Sequence, residues 1–232
     1  MYTIIDWLQN KKECPKMTRV KQTKQQYVYE YIRSRIINNE LTPGTIITED
    51  SACNTLNVSR TPVREAIRRL TSEGLLVVTP GIGLTVPSIG LEDLIEIYDI
   101  REALESLAVR LFIGRSTPAV IEKLSDIMKD QERAVEIGDT NEFMRLDMIF
   151  HRQIDTVARN KRLSSLLDSI YEQISRLAFI NQDDPHILDI AIPVHKKLMK
   201  YIISGDKENA VLAIQEHIRT LRKYYLTKYF DL

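Results

Sequence analysis

The stretch VSRTPVREAIRRL, residues 58–70, decides the fold of the first part of the chain. It has a Thr-Pro pair near its start and apolar residues at helical spacing. Proline is favoured at the first position of a helix, so Thr61 is predicted to be the N-cap of a helix that starts at Pro62. The apolar residues then form one buried face, and most of the polar surface is arginine. The arginines are Arg60, Arg64, Arg68 and Arg69.

The segments on either side predict further short elements. Residues 25–39 have apolar side chains at helical spacing, and a Pro-Gly turn with a short extended run follows. Thr48 can cap a second helix over residues 49–56. Beyond the arginine-rich helix, which Gly74 ends, LLVVT and LTV flank PGIG and predict a β-hairpin. This order of elements is that of a winged helix-turn-helix.

An arginine-rich helix in this position is typical of DNA recognition. Arginine forms paired hydrogen bonds with guanine and also binds phosphate. The arginines alone favour a solvated basic face, but the whole order of elements strongly favours DNA binding. The distribution of charge gives weak support for DNA binding by the first part of the chain. Residues 1–88 hold 12 basic and 8 acidic side chains, whereas the rest of the chain holds 20 basic and 24 acidic ones.

Residues 27–87 resemble the DNA-binding domain of the GntR family of bacterial transcription regulators. The matching segments are LTPGTIITED, NVSRTPVREAIRRLTSEGLL and a wing that ends in GLTV. The resemblance implies that Arg60, Thr61 and Arg64 contact DNA and that Gly81 lets the wing approach a phosphate or the minor groove. Arg68 lies one turn beyond Arg64 and is a further DNA-binding candidate.

Two residues depart from the family pattern. Asp50 and Ile82 stand where many relatives carry basic side chains. The loss of two phosphate contacts predicts weaker, less salt-dependent binding or a different set of contacts. A leader, residues 1–24, precedes the DNA-binding domain at residues 25–88. Its basic residues either form an arm on the DNA backbone or are merely solvated.

After residue 88 the sequence predicts a second domain, residues 89–232, made of helices alone. Six helical segments with short connections predict an antiparallel six-helix bundle, so the chain is mainly α. No signal peptide and no membrane span are evident, and the expected location is the cytoplasm. The six segments are residues 91–115, 118–137, 141–158, 163–181, 185–203 and 207–230.

Four polar residues interrupt the apolar stripes of this domain. Asp147 and His151 are four residues apart within the stripe of the third segment, so both side chains point inward. His195 and His217 share the stripes of the fifth and sixth segments. Buried charges need partners, and one carboxylate with three imidazoles is a suitable ligand set for a divalent transition metal.

The second domain resembles the ligand-binding domain of the FCD type, which follows the winged domain in one large GntR subfamily. The matched segments are YDIREALESLAVRL, the Asp147-x3-His151 pair leading into ARN, the region of His195, and GDKENAVLAIQEHI. With six predicted helices, the domain resembles the VanR-type branch of this subfamily. The resemblance implies that Asp147, His151, His195 and His217 bind zinc or nickel, and that a small organic acid completes the coordination.

Arg101 and Asn160 are candidates for binding that acid. Arg101 stands among Ile97, Ile100 and Leu104, which are expected to face inward, and related domains use an arginine here near the pocket. It would either anchor an effector carboxylate or form a salt bridge with Glu105 or another acid. Asn160 matches the subfamily, but a helix-capping role explains it as well.

These expectations describe a homodimeric repressor, not an enzyme. It would bind a near-palindromic DNA operator, and a divalent metal with a small carboxylate metabolite would modulate that binding. Three alternatives stay open at this point: the metal is purely structural, the protein senses the metal directly, or the metal activates water for hydrolysis.

Overall fold

The computed structural model describes residues 23–180 and 184–230, and for residues 177–180 it describes the backbone alone. The chain divides into two compact units, Met1–Ile89 and Gly90–Leu232. Most of the residues in the described ranges are helical, which confirms the mainly α class. The predicted leader, residues 1–24, lies outside the described residues except for its last two.

The first unit has the element order predicted for a winged helix-turn-helix. Its first helix has Thr23 as N-cap, and the hydroxyl of Thr23 accepts a hydrogen bond from the amide of Gln26 at 3.1 Å. Thr48 and Ser51 form a capping box at the start of the second helix. The elements are α1 (Lys24–Ile37), β1 (Ile46–Ile47), α2 (Glu49–Leu56), α3 (Arg60–Ser72), β2 (Val77–Thr79) and β3 (Gly83–Thr85).

The wing is an antiparallel sheet in the order β1-β3-β2. Thr85 pairs with Ile46 on one side and with Val77 on the other. The turn between β2 and β3 has Gly81 at φ +75° and Gly83 at φ +114°, a region of backbone space that side chains with a Cβ rarely occupy. The short run predicted after the Pro-Gly turn is therefore a strand of the same sheet.

Apolar side chains from α1, α3 and the wing form the core of the first unit. The residues that α1 and α3 contribute are almost inaccessible to solvent, which fixes α3 against α1 and leaves its opposite face exposed. They include Val28, Ile32, Ile36, Val63, Ala66 and Leu70.

The start of α3 differs from the prediction. The N-cap is Ser59, with φ −72° and ψ 166°, and Arg60 is the first helical residue. The prediction that Thr61 is the N-cap was wrong. Pro62 is therefore the third residue of the helix, two positions after Arg60. Proline fits there because the amides of the first turn have no partner within the helix, so no hydrogen bond is lost.

The described part of the second unit consists of six helices, as predicted. Consecutive helices are joined by short connections, and the last helix packs along the first. None of the helices in the described ranges is long and apolar enough to cross a membrane. The helices are α4 (Leu91–Arg115), α5 (Pro118–Glu136), α6 (Thr140–Ala158), α7 (Lys161–Ile180), α8 (His186–Ser204) and α9 (Lys207–Phe230).

The buried face of α4 is rotated from the one expected. Arg101 and Glu105 lie on it, at 1% and 2% exposure, whereas Ile100 is 50% exposed. Successive residues of a helix are about 100° apart, so a face that contains Arg101 leaves Ile100 to one side. The prediction that Ile100 faces inward was wrong, and two charged residues belong to the core.

Candidate functional site

Three helices of the second unit bring one carboxylate and three imidazoles together in its core. Asp147 and His151 come from α6, His195 from α8 and His217 from α9. One donor atom of each side chain lies within 4.8 Å of a donor atom of every other. All four residues are buried, with exposures between 0% and 8%.

Two of the distances between donor atoms match those around a metal ion, and a third is slightly longer. His195 Nε2 lies 3.3 Å from His217 Nε2 and 3.4 Å from Asp147 Oδ1, and His151 Nε2 lies 3.7 Å from the same oxygen. Donors held about 2.0–2.1 Å from a tetrahedral zinc are about 3.3–3.4 Å apart. Asp147 Oδ1 and His151 Nε2 are buried and make no hydrogen bond in the described part of the chain. The set therefore fits a divalent cation.

Gln131 on α5 orients one of the imidazoles. His195 Nδ1 lies 3.1 Å from Gln131 Oε1, and an amide oxygen can only accept, so Nδ1 carries the proton. The lone pair of His195 is then on Nε2, which faces the other donors. Phe150 stacks on the His195 ring at 4.8 Å between centroids and keeps that side of the site apolar.

Glu105 on α4 orients a second imidazole. Its Oε2 lies 2.6 Å from His151 Nδ1, which directs Nε2 towards Asp147. Its other oxygen accepts a hydrogen bond from Nε of Arg101 at 2.6 Å. A carboxylate bonded to the other nitrogen of a ligating histidine fixes the orientation of the ring and raises its basicity. Arg101 thus contacts Glu105, and Glu105 contacts His151, which belongs to the donor cluster, the set of metal donors described above.

Burial and charge set the protonation of the cluster. Burial is the main cause that lowers the pKa of His195, to about 4, and that of His217 well below its usual range. These two rings are neutral at pH 7, as metal ligands must be. For His151, burial alone would lower the pKa, but the carboxylates of Glu105 and Asp147 raise it to about 9.

The two carboxylates remain ionised. Burial would raise the pKa of Glu105, but Arg101 and His151 together lower it to about 2. For Asp147 the same effect of burial is overcome by His151, His195 and Arg101, which lower its pKa to about 2. The site thus offers the charged oxygen of Asp147 and the neutral nitrogens of His195 and His217, donor types that zinc and nickel accept. His151 is protonated without metal, and a bound cation would displace its proton.

The predicted DNA-binding residues lie on the surface of the first unit. Arg60, Thr61, Arg64 and Arg68 are exposed on α3, and Gly81 is exposed in the turn of the wing. Asp50 and Glu49, in the first turn of α2, form ion pairs with Arg60 and Arg64. The structure also exposes Ile82 at the tip of the wing, at 56%.

The two predicted effector residues have partners within the protein. Nε of Arg101 is bonded to Glu105, the salt bridge considered as the alternative to an effector role. Asn160 caps α7, since its Oδ1 accepts a hydrogen bond from the amide of Leu163 at 3.3 Å. The effector roles of Arg101 and Asn160 stay predictions.

Sequence reasoning missed two residues that contact the donor cluster. Glu105 was considered only as a partner of Arg101, and Gln131 was not considered. Both lie on apolar stripes of their helices, Gln131 at 0% exposure between Met128 and Ala134. A polar residue within an apolar stripe was the available signal, the same one that identified the histidines.

Comparison with known proteins places both units in described families. Residues 24–86 match the family of bacterial regulatory proteins named gntR, and residues 96–220 match the FCD domain. The transcriptional regulator YdhC of Bacillus subtilis is 29% identical over 82% of this chain and 85% of its own. A protein of Paenarthrobacter nicotinovorans, described as "Probable D-xylose utilization operon transcriptional repressor", is 30% identical over 82% of this chain and 84% of its own.

A solved structure supports the fold. The Escherichia coli protein McbR/YncC superposes with a TM-score of 0.74, at 24% identity, over 89% of this chain and 99% of that one. The winged unit, the helical unit and their order along the chain agree with these relatives. The chain belongs to the GntR family of bacterial transcription regulators, in the group with an FCD domain, and is a DNA-binding transcription regulator.

Proposed function

We propose that this regulator is a homodimeric repressor whose second unit binds a divalent metal and a small organic acid that loosens its hold on DNA. The observation that carries the proposal is the cluster of Asp147, His151, His195 and His217, whose donor atoms lie within 4.8 Å of one another. The repressor assignment is supported by the description of the Paenarthrobacter nicotinovorans relative.

The exposed face of α3 supplies the proposed DNA contacts. Arg60, Thr61, Arg64 and Arg68 lie on the side opposite the core, where a recognition helix meets base edges and phosphates in the major groove. Gly81 gives the turn of the wing a small, exposed backbone that can approach the adjacent phosphates or minor groove. Two such units in a dimer bind a near-palindromic site more tightly than one unit alone.

The residues that would hold the metal are Asp147, His151, His195 and His217, and zinc or nickel suits their donors. A bound divalent cation supplies a positive centre that an organic carboxylate can coordinate. The guanidinium of Arg101 adds positive charge close to Asp147, which favours an anionic ligand in the same region. Asn160 is a further proposed contact for such a ligand.

The ligand must favour one conformation of the regulator over another if it is to change DNA affinity. Couplings of this kind typically change affinity by about 5- to 150-fold. A carboxylate that binds both conformations equally would occupy the site and regulate nothing. The proposal therefore requires a measurable shift in DNA affinity.

The test begins with purified, zinc-loaded protein and sheared genomic DNA of its source organism. We expect recovery of a fragment that contains a near-palindrome. Fluorescence anisotropy on that fragment is then measured with a panel of small mono-, di- and tricarboxylates. One of them should weaken binding at least about fivefold in the metal-loaded protein and have no effect after chelation.

The same measurements separate the alternatives. An equal carboxylate response in chelated protein would show that the metal does not anchor the effector. A change in DNA affinity on adding metal alone would indicate direct metal sensing. If chelation lowers the melting temperature while no carboxylate shifts DNA binding, the metal is structural.

Arg64→Ala is expected to weaken binding to the recovered fragment by about 1–3 kcal/mol, because the variant loses a contact to a base or phosphate. Arg162→Ala, an exposed position on α7 in the second unit, removes the same charge and should leave affinity nearly unchanged. Anisotropy titrations of both variants at one salt concentration measure the difference. Equal affinities of the two variants would show that Arg64 is not part of the DNA-binding face.

A further inference from the structure

Acidic residues of α2 hold two of the arginines on the proposed DNA-binding face. Arg60 Nη2 donates a hydrogen bond to Asp50 Oδ1 at 3.0 Å. Arg64 Nε donates to both oxygens of Glu49, at 3.0 and 2.9 Å. The four side chains are 38–69% exposed, so both ion pairs lie at the surface that would meet DNA.

The local structure accounts for this placement. The capping box of Thr48 and Ser51 starts α2 at Glu49, so both acids are in its first turn. Acidic side chains are favourable there because the helix dipole is positive at its N-terminus. The backbone reverses at Asn57, which has φ +51°, and α3 then begins at Arg60, within reach of Asp50.

The two pairs use different atoms of the guanidinium group. Asp50 engages a terminal nitrogen of Arg60, and the terminal nitrogens form the fork that binds guanine or phosphate end-on. Glu49 engages Arg64 through Nε, and its contact does not use that fork. Asp50 therefore competes with DNA for the end-on fork of Arg60, whereas Arg64 can keep its orientation.

We infer that Asp50 limits the DNA affinity of this regulator by holding Arg60 away from the DNA backbone. The inference rests on the proposed DNA-binding face. Contacts to phosphates are independent of sequence and dominate binding to random DNA. A carboxylate that competes for one such contact weakens binding to every duplex, random sequence included.

The expected effect follows from the strength of an exposed ion pair. Releasing Arg60 should tighten binding to random-sequence DNA by about two- to fivefold. It should also steepen the dependence of log affinity on log salt by up to about 0.9, the contribution of one additional phosphate contact.

The experiment compares Asp50→Asn with wild type on a labelled random-sequence duplex of about three helical turns, by anisotropy over a range of KCl concentrations. Glu40→Gln is the matched control, since Glu40 is an exposed acid of the same unit in an ion pair with Arg35 at 3.0 Å. Both variants are also made in an Arg60→Gln background. Circular dichroism verifies that each variant is folded.

We expect D50N to bind about two- to fivefold more tightly than E40Q, and we expect this advantage to disappear in the Arg60→Gln background. Equal affinities of D50N and E40Q would overturn the inference while leaving DNA binding intact. An advantage that persists without Arg60 would also overturn it, because Asp50 would then act by general repulsion. If wild type binds no duplex even at low salt, the proposed DNA-binding face fails together with the inference.

Discussion

His195→Ala is expected to weaken metal binding about 100-fold. Structural zinc sites with four ligands bind with roughly 10–16 kcal/mol, so one ligand accounts for about 3 kcal/mol, or about 100-fold in affinity. At the same free zinc concentration, zinc should raise the melting temperature of wild type more than that of the variant, because stabilisation by a ligand grows with its affinity for the folded state. Elemental analysis after dialysis and thermal unfolding with and without zinc measure both effects.

His186→Ala is the matched control for this substitution. His186 is the first residue of the same helix, α8, and is exposed and outside the donor cluster. This variant should retain metal and respond to zinc as wild type does. A His195→Ala protein that binds zinc as tightly as wild type would contradict the proposed site.

Arg101→Met is expected to destabilise the protein by about 3–5 kcal/mol, the usual loss when one partner of a buried ion pair is removed. Arg101 and Glu105 have side-chain exposures of 1% and 3%, so the carboxylate left behind cannot be solvated and, among the described residues, keeps only His151 as a charged partner. Chemical denaturation of the metal-free protein measures the loss without interference from metal binding. Arg101→Met/Glu105→Gln, which removes both charges, should recover part of the stability.

Arg219→Met provides the comparison with a surface pair. Arg219 binds Glu102 with its Nε at 2.9 Å, but its side chain is 64% exposed, and such pairs contribute about 0–1 kcal/mol. If Arg101→Met loses no more stability than Arg219→Met, the buried pair does not support the core. If Arg101→Met loses much more stability than Arg219→Met, a weak effector response of an Arg101 variant can result from partial unfolding. Its folding must then be measured alongside the response.

Much of the fold could be predicted from local sequence signals. Helical periodicity, the Thr48 cap and Gly74 identified the elements of the first unit, because these signals act within a few residues. The start of α3 was misplaced by two residues because proline fits several positions of a first turn. Short strands carry little periodicity, so the pairing of Ile46 with Thr85 became evident only from the structure.

The donor cluster was predictable in part, for a similar reason. Asp147, His151, His195 and His217 interrupt apolar stripes, so their burial follows from helical geometry. Which face of α4 is buried depends on contacts with distant helices, and the apolar residue Ile100 suggested a different face. The roles of Glu105 and Gln131 depend on these tertiary contacts, which periodicity does not encode.

The spacing of the metal donors along the chain bears on how the protein folds. His195 and His217 are separated by 22 residues and lie on different helices, and only Asp147 and His151 are close in sequence. Closing such loops costs entropy, so complete coordination requires that most of the bundle has already formed. A cation captured at that late stage slows unfolding rather than speeding folding. Metal bound at this site would therefore prolong the life of the folded regulator without guiding the chain towards it.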